Sequence, residues 1–149
     1  MRKTPLVVFT KWLLDFMFYC GITIVIGVPW LFRLAGRYFS IFDEFYLPFC
    51  VIFMVSGVFA LFIIRELRSM FYTVVKADPF VRENVRSLKR MGNCAFIIAL
   101  FMTVKLVFVI TPATLVLIIV FLVAGLFSLV LSQVFDQAVT YKQENDLTI

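Results

Sequence analysis

Four stretches of the chain are apolar on every side, and the residues between them are not. Residues from about 12 to 32 carry Asp15 as their only charge, and 46–64 carry none. Residues from about 93 to 110 contain Lys105, and 113 to about 134 are again uncharged. A helix rises about 1.5 Å per residue, so about 20 apolar residues cross a hydrocarbon core roughly 30 Å thick. Each stretch is therefore read as a membrane-spanning helix. Pro29 lies near the end of the first, where it is expected to kink or terminate the helix. Pro48 falls in the first turn of the second, where its missing N–H does no harm. Thr111-Pro112-Ala113 is a short uncharged turn that joins antiparallel neighbours.

Beyond Ile64 the pattern changes from uniformly apolar to one-sided. Leu67, Met70, Phe71, Val74 and Val75 recur at i, i+3, i+4, i+7 and i+8, while Arg65, Arg68, Tyr72 and Lys76 take the other face. That is one helix face, and it extends the second helix about 18 Å past the membrane. Asp78 is expected to cap a new helix with Pro79 at its first position. This helix runs on into the third span. It offers Val81, Val85 and Leu88 as an apolar stripe for the preceding extension, and Arg82, Arg86, Lys89 and Arg90 as a basic one. Val134, Phe135, Ala138 and Val139 carry an apolar face of the fourth helix past the bilayer, so three extensions bury one another's stripes. The expected fold is an all-α membrane protein: four transmembrane helices with cytoplasmic helical extensions, in one domain over 1–149. A helical hairpin occupies 65–92 and a C-terminal tail 135–149.

Composition removes whole classes of function. Of 149 residues 63% are apolar and 15% charged, against about 45–50% and roughly 25% in soluble domains. An ordinary soluble enzyme is excluded. The chain has no histidine, which removes the commonest metal ligand and general base near neutral pH. Nucleotide-binding, nucleophile-elbow and metalloprotease motifs are absent. No catalytic residue, metal or cofactor is expected, and the chain is read as a non-enzyme. Cys20, Cys50 and Cys94 fall at different depths and are read as small apolar filler. The opening Met-Arg-Lys imitates a signal peptide, but Asp15 interrupts the apolar run and no small-residue cleavage pattern follows. The segment is expected to stay as the first span.

Charge sets the expected orientation. Arg2, Lys3, Lys11, Arg65, Arg68, Lys76, Arg82, Arg86, Lys89, Arg90 and Lys142 lie on one side of the spans, and only Arg33 and Arg37 on the other. The positive-inside rule places both termini and the central loop in the cytoplasm. The expected location is a bacterial plasma membrane.

Two segments carry a resemblance. Asp78-Pro79-Phe80 followed by Glu83-Asn84 and Leu88, and the closing Glu144-Asn145-Asp146-Leu147-Thr148-Ile149, resemble the DUF2975 family of small bacterial four-span membrane proteins. Ala77 departs from the pattern, which has glycine before Asp-Pro-Phe. The resemblance implies a neighbouring small helix-turn-helix regulator of the Cro/C1 type, and hence a membrane partner that controls a transcription factor.

The remaining polar residues have two or three readings each. The basic stripe Arg82, Arg86, Lys89 and Arg90 suits lipid headgroups or an acidic protein segment. Direct nucleic-acid binding lacks any recognition motif. Lys105 lies about 8 Å from the outer end of its span, so its stem is expected to snorkel to the interface, with a polar pocket as the alternative. Asp15 is placed to meet Lys11 or a basic residue such as Arg90. A proton or ion relay usually needs several buried acidic or histidine groups, and none lies at midplane. Glu144, Asp146 and the terminal carboxylate are expected to fold back on the basic hairpin, with Leu147 and Ile149 near Phe80 and Asp146 opposite Arg86. Gly21, Gly27, Gly57 and Gly125 allow close helix approach and leave a homo-oligomer open. The functional expectation is a regulatory interaction protein whose cytoplasmic face controls a small regulator. The alternative is a small transporter or channel subunit resting on Lys105 and Asp15.

Overall fold

The computed structural model describes residues 4–147. Arg2, Lys3, Thr148, Ile149 and the terminal carboxylate lie outside the described residues. The chain folds as α1 (Pro5–Gly36), α2 (Ser40–Glu44), α3 (Tyr46–Val75), α4 (Arg82–Phe108) and α5 (Pro112–Leu147). Four of these helices are long and apolar enough to cross a membrane, and the described residues contain no strand.

Local chemistry sets the helix ends. Thr4 caps α1, its hydroxyl accepting the Val7 N–H at 3.3 Å, and Pro5 takes the first turn. The helix therefore starts well ahead of Trp12. Pro29 neither ends nor interrupts it: α1 continues to Gly36, and the Tyr46 hydroxyl donates to the Pro29 carbonyl at 3.0 Å. Pro112 opens α5, where a proline's fixed φ suits a helix start. The short α2 was not foreseen. It is held by aromatic rings, with Phe42 5.4 Å from Phe32 and 6.0 Å from Phe49 between centroids.

The long helices stand side by side in the order α1, α3, α4, α5. Among the described residues α1 packs on α2 and α3, α3 on α4, and α4 on α5, with no direct backbone contact between α1 and α5. One end of this row holds α2 and the α4–α5 turn (the turn end). The other holds the chain termini and the α3–α4 loop (the terminal end). Ile52, Ile98 and Met102 form the buried centre, with Phe53, Phe101 and Phe121 packed around them. The α4–α5 seam brings two backbones close together. A Cβ added to Gly125 would lie 2.9 Å from the Phe96 ring, and one added to Gly92 would lie 3.1 Å from the Gly125 carbonyl oxygen. The Ser128 hydroxyl donates to the Leu88 carbonyl across the same seam at 2.6 Å. Gly27, by contrast, faces open space and mediates no close approach.

Candidate interaction site

The terminal end is where the sequence motifs converge. There α3 closes with a Schellman turn. Ala77 adopts φ 63°, which lets the Asp78 N–H reach the Thr73 carbonyl at 3.0 Å and the Ala77 N–H reach Val74 at 3.0 Å. This pair of bonds is the usual way to satisfy the last carbonyls of a helix, and glycine normally takes the left-handed position. The Ala77 departure is thus a methyl group placed where none is preferred.

Asp78 does not cap α4, contrary to expectation. Its carboxylate pairs with Lys142, and the Val81 N–H, which a cap at Asp78 would accept, closes on the Pro79 carbonyl at 3.1 Å. The helix begins only at Arg82, with extended Val81 at the cap position and no side-chain cap. Asn84 stabilises this loop instead. It is 2% exposed, and its amide donates to the Pro79 carbonyl at 2.6 Å and the Thr73 hydroxyl at 2.8 Å. Thr73 in turn donates to the Met70 carbonyl at 2.6 Å.

The loop and the first residue of α4 clasp α5 through three alternate positions. Asp78 pairs with Lys142, Arg82 pairs with Asp136, and the Phe80 ring lies 5.3 Å from that of Phe135. Beneath them Val85, Leu88 and Val139 are buried, whereas Val134 of the expected α5 stripe is 52% exposed and Phe71 and Val75 line an open cleft.

The C-terminal segment reaches this site by another route than the one expected. It does not fold back: α5 continues as one helix to Leu147, whose side chain is 87% exposed and not packed on Phe80. Val139, Lys142, Gln143 and Asp146 share one face of that helix and line a cleft of about 230 Å³ with Phe80, Val81 and Arg82. Asp146 thus faces Arg82, whereas Arg86 lies in a separate polar cleft with Glu66, Glu83 and Arg90. The Ile149 part of the expectation lies outside the described residues. Glu144 is exposed.

The basic stripe is divided. Arg82 and Arg90 are engaged within the chain, the latter with Glu66 at 3.4 Å. Arg86 and Lys89 are exposed. Asp15 meets neither Lys11 nor Arg90 but Arg68, at 2.7 Å. The Arg68 guanidinium also lies 4.7 Å above the Phe18 ring. The α1–α3 register that sets Gly21 against Leu61 and Gly57 against Val25 brings Arg68 level with Asp15. The span bounds did not reveal it, because they place Asp15 three residues inside the membrane edge and Arg68 four residues beyond it. A cleft of about 700 Å³ opens beside this pair, lined by Lys11, Leu14, Tyr72 and Lys76.

At the turn end Lys105 does not snorkel freely. Its ammonium donates to the Thr114 hydroxyl at 2.7 Å and reaches Thr111 at 3.5 Å. The rings of Phe49 and Phe53 lie 5.6 and 5.8 Å away. This is the polar-pocket arrangement. The threonines were missed because the turn was read only for its geometry. Among the described residues no group of three His, Cys, Asp or Glu side chains is placed to hold a metal ion.

No curated protein and no solved structure matches the chain. A family model described as a protein of unknown function (DUF2975) matches residues 26–149, which include the Asp78-Pro79-Phe80 loop and the whole of α5. The chain belongs to the DUF2975 family.

Proposed function

We propose that this chain is an integral membrane regulatory protein that binds a small Cro/C1-type helix-turn-helix regulator at its terminal end and holds it at a bacterial plasma membrane. Both termini and the clasp face the cytoplasm in this reading. The observation that carries it is the meeting of the two motif segments, with Phe80, Arg82 and Asp146 on one cleft outside the spans. Phe80 is 43% exposed. Aromatic surface flanked by charge of both signs is the composition of a protein-binding patch. The chemistry of the exposed groups favours binding over catalysis. The family resemblance supplies the class of partner.

Co-purification tests this directly. The tagged full-length chain, produced with the small regulator encoded beside it and extracted in mild detergent, is expected to retain the regulator. Asp146→Lys should lower recovery about tenfold, the effect of losing one buried charged contact worth about 1.4 kcal/mol. A regulator that remains entirely in the soluble fraction contradicts the proposal. Solute uptake abolished by Lys105→Ala, without regulator binding, would favour a small transporter.

A further inference from the structure

The flat order of the helices leaves a channel between α1 and α5 in the half of the molecule that bears α2. Its floor and walls come from all four long helices, including Val28 of α1, Ser56 of α3, Met102 of α4 and Phe121 of α5, and it forms an open groove of about 330 Å³ that is almost wholly apolar. Ser56 is 6% exposed, and its hydroxyl is the one buried side-chain oxygen or nitrogen without a hydrogen-bond partner among the described residues. An unpaired hydroxyl in apolar surroundings is unfavourable and calls for an acceptor.

The mouth of the channel carries a cation. Lys105 lies on the same α4 face as Ile98 and Met102, at i+7 and i+3, and Thr114 shares its α5 face with Leu117 and Phe121. Phe53, which lines the channel, is also one of the rings beside the Lys105 ammonium. That ammonium makes no ion pair among the described residues. Two threonine hydroxyls use two of its three N–H donors, and one is left.

We propose that this channel binds one anionic glycerophospholipid, with its phosphate at Lys105, an ester carbonyl accepting from Ser56, and an acyl chain along the groove between α1 and α5. The order of the three features matches the molecule that would fill them. Ser56 follows Phe53 by three residues, about 4.5 Å deeper along α3, as an acyl ester lies below its phosphate. The apolar space continues inward from there. A lone ammonium among aromatic rings favours a net negative partner over a zwitterion, whose own cation competes for the phosphate. The site is separate from the terminal-end clasp and stands whichever way the chain is oriented.

Native mass spectrometry of the full-length protein in detergent, with added phosphatidylglycerol or phosphatidylcholine, tests the assignment. One retained phosphatidylglycerol per chain is expected, with at least tenfold preference over phosphatidylcholine. Lys105→Gln should abolish the preference and Lys105→Arg keep it. Ser56→Leu, which fills the channel, should expel the lipid while circular dichroism shows unchanged helix content. Equal retention of the two lipids, or a preference unchanged in Lys105→Gln, would mean annular lipid only and overturn the proposal. Undiminished retention by folded Ser56→Leu would overturn it equally, as would a lipid-free dimer with the channel covered by a second copy. Should Lys105→Gln fail to fold, the contrast between Lys105→Arg and Ser56→Leu still decides.

Discussion

Ala77 and Asn84 show how single residues shape the α3–α4 loop. Ala77 holds φ 63°, a region that costs an L-residue with a Cβ roughly 1–2 kcal/mol. Glycine removes that cost but gains freedom in the unfolded chain. Ala77→Gly is therefore predicted to stabilise the protein by about 0.5–1 kcal/mol, seen as a higher midpoint in detergent-solubilised thermal unfolding. Asn84→Ala acts in the other direction. It strips the Pro79 carbonyl and the Thr73 hydroxyl of a donor in a buried setting, and should cost about 1–3 kcal/mol in the same assay. An unchanged midpoint would show that water replaces the amide without loss. Asp-Pro reads as a helix start when the residues are taken alone. The Val81 N–H that a cap at Asp78 would accept closes on the Pro79 carbonyl instead, and the start moves to Arg82.

Helix-scale features divide according to whether one helix face or two helices determine them. The stripe Leu67–Val75 and the buried Val85 and Leu88 were legible because period 3.6 is written into one segment. The close seam between α4 and α5 depends on Gly92 meeting Gly125 in a register that no single segment encodes. Gly125→Leu is predicted to cost about 1–3 kcal/mol by forcing a side chain into the Phe96 ring. Gly27→Leu, facing open space, should change stability by less than about 0.5 kcal/mol. Equal losses from the two would contradict the packing. The C-terminal segment was misjudged for a related reason. Its acidic residues opposite the basic stripe, with Leu147 and Ile149 as apolar anchors, suggested a fold-back in which exposed pairs add only about 0.2–1 kcal/mol each. Continuing α5 costs no chain reversal, and its helical spacing already carries Asp146 to the Phe80 side.

At the scale of the whole molecule, the ion pairs among the described residues, Arg68–Asp15, Arg82–Asp136, Arg90–Glu66 and Lys142–Asp78, all lie toward the terminal end. The apolar channel and Lys105 lie toward the other. Such polarity is what a protein with different tasks on the two sides of a bilayer would show, and the proposed reading puts the terminal end, with its excess of Lys and Arg, in the cytoplasm. The regulatory reading depends on that assignment, because a transcription factor meets only the cytoplasmic face. Thiol labelling in intact cells tests it most directly, using full-length chains with the native cysteines replaced and single cysteines at Ser40, which opens α2, and at Ser69, on the α3 extension. Both serines are exposed. The account predicts that position 40 reacts with a membrane-impermeant reagent in intact cells, while position 69 reacts only after lysis. Labelling of position 69 in intact cells, with position 40 protected until lysis, would contradict it.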